Sequence, residues 1–319
     1  MSEGDGQARS VNYQGLLIIT AILALPMLSR ELIWFHSLVP LPIFYYTTRL
    51  GQRQGGLLVG AALLLAGSLA MIIGQLPALF FAMTLVPVGM LLARGVINNE
   101  TPNRTGLTAV IALGSFWLLA GLLYAVRYEA NPYQDILQGL EQGFQHTLAY
   151  YRDKAEFPPE TLKELAATVE MLRRFFAKAF PALLASSIIS TVWCNMLAGH
   201  WLLKRHQPER TTWPDFKQWR LPEPMVWLVV LSGLLLVLDQ QPLATIGLNL
   251  GYVLGMLYFM QGLAIASHTL ARWQTPRLFR GIIYLLLMLQ LYGLIMLAMI
   301  GLADTWFDLR KVAAEPQDA

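Results

Sequence analysis

The stretch "GLLVGAALLLAGSLAMIIGQLPALFFAMTLVPVGMLLA", residues 56–93, contains no Asp, Glu, Lys or Arg, and none occurs anywhere between Arg53 and Arg94. It divides into two apolar runs, about 55–73 and 77–95, joined by Gly-Gln. Each run is long enough to satisfy its own backbone as a helix while crossing a hydrocarbon layer of about 30 Å. The same reading along the chain gives nine apolar helices, at about 13–28, 32–48, 55–73, 77–95, 106–127, 179–204, 223–239, 243–268 and 280–303. The fold class that follows is an all-α polytopic membrane protein, a bundle of eight or nine transmembrane helices with a helical extracytoplasmic loop. The first two runs are short and share a tight "SREL" turn, which leaves a tilted or re-entrant pair open.

Composition agrees. Hydrophobic residues make up 55% of the chain and charged residues 13%, against about 25% charged in a soluble domain, and mean hydropathy is +0.48. A net charge of +3 reflects basic loops and gives no sign of a nucleic-acid partner. The single Cys194 excludes an intramolecular disulfide and a cysteine metal cluster; inside an apolar run it reads as a small packing residue. The N-terminal "MSEGDGQARSVNYQG" lacks the basic region of a signal peptide, so the first run is read as a retained span.

Alternating the spans places Arg9, Arg49, Arg53, Arg94, Arg104, Lys204, Arg205, Arg210, Lys217, Arg220, Arg272, Arg277 and Arg280 on one face. The other face carries Arg30, Arg310, Lys311 and one long mixed-charge loop. The positive-inside rule makes the first face cytoplasmic, and long loops count little in it. The expected location is a bacterial inner membrane, with the N-terminus inside and the C-terminus outside. "NET" at 99–101 and "NRT" at 103–105 match a glycosylation pattern but fall on the cytoplasmic face, and read as chance.

The loop 128–178 has helical periodicity. "PYQDILQGLEQGFQHTLAYYRDK" and "PPETLKELAATVEMLRRFFAKAF" read as two amphipathic helices, the second opening with prolines and acids as helix N-termini do. Leu162, Leu165, Val169 and Leu172 form one stripe. The pair is expected to lie on the membrane or cap the bundle, as a lid over a cavity or as plain packing. The division expected is a six-helix N-terminal half, 1–204, a basic linker, 205–222, and a three-helix C-terminal half with tail, 223–319.

HExxH, GxSxG, a Walker lysine loop and paired intramembrane aspartates are all missing from the sequence. His36, His146, His200, His206 and His268 lack ligand spacing. An enzyme is therefore not expected, nor a cofactor or bound metal. Small residues give the clearest local signal: Gly51 and Gly55, Gly56 and Gly60, and Gly247, Gly251 and Gly255 recur at four-residue spacing. Such stripes let another backbone approach closely, within the chain, in a homodimer or against a partner subunit. Polar residues at membrane depth are costly and face inward; Asn195, Asp239, Asn249, Gln261 and Gln290 are the candidates. Each is a ligand contact or interhelical glue. Arg49, after the proline-broken "PLPIFYYTTR", could line a small-molecule cavity.

The segments "FPALLASSIISTVWCNMLAGHWLLKR" (180–205), "FKQWRLPEPMVW" (216–227), "LNLGYVLGMLYFMQGLAIASH" (248–268) and "GLADTWFDLRK" (301–311) resemble the YybS-like family of bacterial multipass membrane proteins. The motif Asp304, Trp306, Phe307, Asp308, Arg310 is the most specific piece. The six N-terminal helices are similar to the substrate-binding subunits of energy-coupling-factor vitamin transporters. That likeness implies a small-molecule or lipid binding protein, with Arg49, Asn195, Asn249 and Gln261 as candidate contacts and a separate ATPase partner. The rival expectation is a non-catalytic scaffold that assembles envelope proteins. On physics alone, residues 304–310 read as a helix terminus, with Trp306 and Phe307 at headgroup level and Arg310 able to snorkel.

Overall fold

A computed structural model describes residues 12–153, 158–211, 213–238 and 240–312, so Arg9 and Asp239 lie outside the described residues. Among these residues the secondary structure is helical throughout. The helices are α1 (Tyr13–Leu28), α2 (Pro40–Leu50), α3 (Gln52–Ile73), α4 (Leu76–Ile97), α5 (Pro102–Tyr128), α6 (Pro132–Asp153), α7 (Pro159–His206), α8 (Met225–Val237), α9 (Leu243–Arg272), α10 (Arg277–Leu289), α11 (Leu291–Phe307) and α12 (Leu309–Val312). Five of them, α3, α4, α5, α7 and α9, are long and apolar enough to cross a membrane, and the bent pair α10–α11 makes a sixth if it counts as one span. The shorter apolar helices α1 and α8 separate six from the eight expected, and the run 32–48 separates eight from nine.

Three expected helices take a different form. The run 32–48 is a 3-10 helix, Arg30–Leu38, followed by α2. Pro40 has no N–H to donate into a preceding turn, which suits the first position of an α-helix, and α2 begins there. The run 280–303 is broken at Gln290, whose extended backbone (φ −107°, ψ 129°) turns α11 by 102° from α10. Gly293 permits the fold-back, since a Cβ there would overlap the Leu287 carbonyl. The second loop helix, expected to stand apart from the span at 179–204, is continuous with it as the 48-residue α7. At 1.5 Å per residue such a helix is about 72 Å long, more than twice the hydrocarbon thickness.

The chain groups into two compact units. The first comprises residues up to Ala120 with Ile188–Trp213, and the second comprises Gly121–Ser187 with the chain from Pro214 onward. This grouping divides the basic linker and puts the 128–178 segment with the C-terminal helices.

In the first unit, Ile19, Leu23, Ile43, Phe44, Ala62, Ala66 and Leu92 are all fully buried. Small residues bring its backbones together. Gly89 receives Pro40 and Ile43 of α2, and Gly55 receives Thr47, each close enough that a Cβ would lie under 3 Å from the neighbour. Gly74 ends α3 in the left-handed conformation (φ 70°), and Gln75 N–H bonds back to the Ala70 carbonyl at 2.9 Å. This Schellman-type closure makes the sharp turn into α4. In the second unit, α9 and α11 touch backbone to backbone. A Cβ on Gly262 would overlap the Leu297 carbonyl, and one on Gly301 would overlap the Tyr258 carbonyl. Leu57, Leu64, Leu118 and Val237 are strongly exposed, as lipid-facing side chains are.

Candidate functional site

The C-terminal motif is built around one carboxylate. Asp304, in the last turn of α11, has a fully buried side chain. Its Oδ2 accepts hydrogen bonds from Arg310 Nη2 at 2.7 Å and Gln261 Nε2 at 3.1 Å, and Arg220 Nε lies 3.4 Å away. On an uninterrupted helix Arg310, six positions on, would point away from the Asp304 face. Instead Asp308 adopts the left-handed conformation (φ 42°, ψ 57°) and ends α11, so the chain turns back and delivers the guanidinium. Arg310 also donates through Nη1 to the Lys217 and Trp219 carbonyls at 3.2 and 2.9 Å. Arg220 pairs with Asp308, and Leu221 N–H donates to Gln261 Oε1 at 3.0 Å. The segment 217–221 is thereby strapped onto α9 and α11. Asp304 Oδ1 and Arg310 Nε stay buried without a hydrogen-bond partner. Trp306 and Phe307 remain exposed, in keeping with a headgroup-level position.

Asn249 has a similarly structural place. Pro181 interrupts α7 and leaves the Ala177 carbonyl without its usual N–H partner. The Tyr133 hydroxyl of α6 donates to that carbonyl. One residue along, Asn249 Nδ2 donates to the Lys178 carbonyl at 2.8 Å, and its Oδ1 accepts from Ala182 N–H at 2.8 Å. The Asn249 amide therefore stands where the Lys178–Ala182 backbone bond would be, and α7 passes through its proline with these groups satisfied. The remaining Asn249 proton goes to the Thr245 carbonyl at 2.8 Å.

A small, half-open concavity lies elsewhere in the second unit, between α6 and the first half of α7. It has a volume of about 230 Å³ and is lined by Leu137, Leu140, Phe144 and Phe176, with Glu141 and Arg173. The spacing 137, 140, 141, 144 on α6 is the ordinary one-face spacing of a helix. The Phe144 and Phe176 rings meet at a tilt of 43° with centroids 6.3 Å apart. Arg173 lies 3.7 Å from Glu141 and grips Glu170 through two bonds of 2.7 and 2.8 Å. Hydrogen bonds from Arg173, then Arg174, hold the Glu170 carboxyl down at about 2. The groove wall is therefore apolar with a largely neutralised polar rim. The sequence marks both helices as amphipathic. On the second it identifies the stripe 162–172, of which Val169 is buried; the groove continues that face at Arg173 and Phe176, and its position along the face is set by the register of the two helices, a tertiary property.

The other candidate residues are dispersed. Asn195 is buried in the first unit and donates to the Ser37 and Thr191 carbonyls at 2.7 and 2.6 Å. Arg49 is exposed in the last turn of α2, about 18 Å along the chain from Ser37, which Asn195 contacts, at helical rise; Asn195 and Arg49 do not form one site. Gly247 and Gly251 pack against Leu235 and Ser232 of α8, and a Cβ on Gly56 would lie 3.8 Å from Met90 Cε, whereas a Cβ on Gly51, Gly60 or Gly255 would meet nothing within 4 Å. Gly51 instead serves the positive φ (84°) that ends α2. Cys194 is exposed rather than packed, because its face of α7 is not one that a neighbouring helix covers. The described residues contain no group of His, Cys, Asp and Glu able to hold a metal ion.

No curated protein and no solved structure matches the chain. One family does, described as Predicted membrane protein (DUF2232), over residues 16–305. The match reaches well into the N-terminal half, beyond the segments that carry the motif resemblance. It takes in Asn195, Asn249, Gln261 and Asp304 and stops before Trp306, Asp308 and Arg310. With nearly the whole helical region covered, from α1 to the buried carboxylate of α11, the chain belongs to the DUF2232 family of predicted membrane proteins.

Proposed function

We propose that this multipass membrane protein binds a small amphipathic molecule, a lipid or a compound with an apolar body and a polar end, in the groove between α6 and α7. The observation that carries the reading is the groove: about 230 Å³, walled by Leu137, Leu140, Phe144 and Phe176, with Glu141 and Arg173 at its edge. Apolar walls with a few placed polar groups are what small-molecule sites generally have. The amides of Asn249 and Gln261 support the same placement by elimination, since both their oxygen and their nitrogen bond to the chain itself; Asn195 spends its Nδ2 protons on the chain and leaves Oδ1 buried without a partner. Loop charges support an inner-membrane location with segment 128–178 on the extracytoplasmic side. The sequence carries no ATPase motif, so moving the bound molecule actively would need a partner subunit or an ion gradient.

Native mass spectrometry of the purified full chain tests the proposal. We expect one copurifying amphipathic molecule per chain, lost in Leu140→Glu while the protein stays folded. A ligand-free wild type, or equal retention by the variant, overturns it. A second reading, a scaffold for membrane partners, is favoured by Gly60 on α3 and Gly255 on α9, which have open space above them where another helix could approach. Gly60→Leu and Gly255→Leu would then disrupt a copurifying assembly and leave the groove ligand bound.

A further inference from the structure

We propose that one end of the first unit is a binding surface for the headgroups of anionic phospholipids. Three contacts gather this end. The Tyr45 ring of α2 packs on the His206 ring of α7 at 6.2 Å. Trp213 Nε1 donates to the Glu100 carbonyl of the α4–α5 turn at 2.9 Å. Thr47 of α2 lies against Gly55 at the start of α3.

These contacts bring together the end of α2, the start of α3, the α4–α5 turn and the end of α7. Within 45–60, 90–106 and 200–213 the sequence has seven Lys and Arg (Arg49, Arg53, Arg94, Arg104, Lys204, Arg205, Arg210) and two acids (Glu100, Glu209), a net of 7 − 2 = +5. All seven cations are exposed. The opposite turns of this unit, 28–38 and 72–78, carry Arg30 and Glu31 and sum to zero.

Position selects a lipid headgroup over a soluble anion. The cations sit at the termini of the apolar helices α3, α4, α5 and α7, where a polar headgroup layer would lie. Trp201 is exposed in the last turns of α7, with the Arg205 guanidinium over its ring at 5.5 Å. An amphipathic ring at this level is the usual anchor of a membrane interface. Near an anionic surface each Lys or Arg contributes roughly a fivefold preference.

The test reconstitutes the full chain in nanodiscs of phosphatidylglycerol mixed with phosphatidylcholine of matched acyl chains, and measures by mass spectrometry which lipid remains after mild delipidation. Wild type should retain phosphatidylglycerol preferentially, and Arg49→Gln/Arg53→Gln should lower the preference roughly 25-fold, about fivefold for each cation removed. The charge-matched Arg127→Gln/Lys163→Gln should leave it unchanged, and Arg94→Gln supplies a second variant at the surface should the first fail to fold. Equal retention of both lipids, an unchanged preference in the Arg49/Arg53 variant, or displacement of lipid by soluble glycerol phosphate overturns the proposal.

Discussion

Removing the Asp304 carboxylate should be the most damaging single polar change in the second unit. Its side chain is fully buried and Arg310 is 10% exposed. Asp304→Leu therefore strands a buried guanidinium and unpairs Gln261 Nε2; such a loss costs about 3–5 kcal/mol. Arg310→Met leaves the carboxylate with Gln261 and the partly exposed Arg220, and should cost slightly less. Arg220 is 42% exposed, so Arg220→Gln should cost no more than about 1 kcal/mol. The informative variant is Asp304→Leu/Arg310→Met. The network already leaves Asp304 Oδ1 and Arg310 Nε without partners, and a half-satisfied polar cluster is readily exceeded by an apolar one. The double variant should be more stable than either single, with a coupling of about 2 kcal/mol. Thermal unfolding in detergent, followed by size-exclusion chromatography of the folded fraction, measures all four proteins. Strictly additive losses, or an Asp304→Leu protein as stable as wild type, would refute the reasoning.

Three further outcomes follow from the same geometry. Tyr133→Phe should destabilise by about 1 kcal/mol in the wild type and by much less in a Pro181→Ala background, where the helix recovers its own bond to the Ala177 carbonyl; a thermal-shift double-mutant cycle reads the difference. Gly262→Ala and Gly301→Ala force a methyl into a facing carbonyl and should cost at least about 1–3 kcal/mol, whereas Gly255→Ala, with open space above it, should be neutral or stabilising by up to about 1 kcal/mol; comparing the three melting temperatures checks the backbone contact of α9 and α11. The Glu170 carboxyl is held at about 2, below its ordinary 4.5, so its ion pairs contribute fully above pH 4.5 and are lost as pH falls from there toward 2. Hydrogen-exchange protection of α6 and α7, taken relative to the intrinsic rate at each pH, should fall over that interval, the step should shrink at high salt because the pairs are exposed, and Glu170→Gln should abolish it.

Long helices were legible because apolar run length is written directly in the sequence: α3, α4, α5 and α9 begin and end within a few residues of the apolar runs. Breaks inside apolar runs were not. Gln290 is one polar residue among leucines, and nothing local requires its extended backbone; the turn depends on Gly293 meeting the Leu287 carbonyl. The continuity of α7 was hidden for the opposite reason. Pro181 signals an interruption, and the groups that bridge it, Tyr133 and Asn249, lie 48 and 68 positions away in sequence. Asn249 and Gln261 stood out as costly polar residues, but which carbonyl, N–H or carboxylate each would meet is set by helix packing. Arg220 showed only as one of many basic residues, since its partners Asp304 and Asp308 are more than eighty positions away. The groove is the same case, because each helix shows its apolar stripe and neither shows the register against the other.

The groove reading is tested most directly by capture in place. Benzoylphenylalanine substituted at Leu140, which lines the groove, and separately at the exposed Leu118, would be irradiated in the native membrane and the adducts weighed. The account predicts a discrete small-molecule adduct at position 140, absent at position 118 and lost when Phe176→Glu is added. Identical adducts at both positions, or none at position 140 in folded protein, would contradict it.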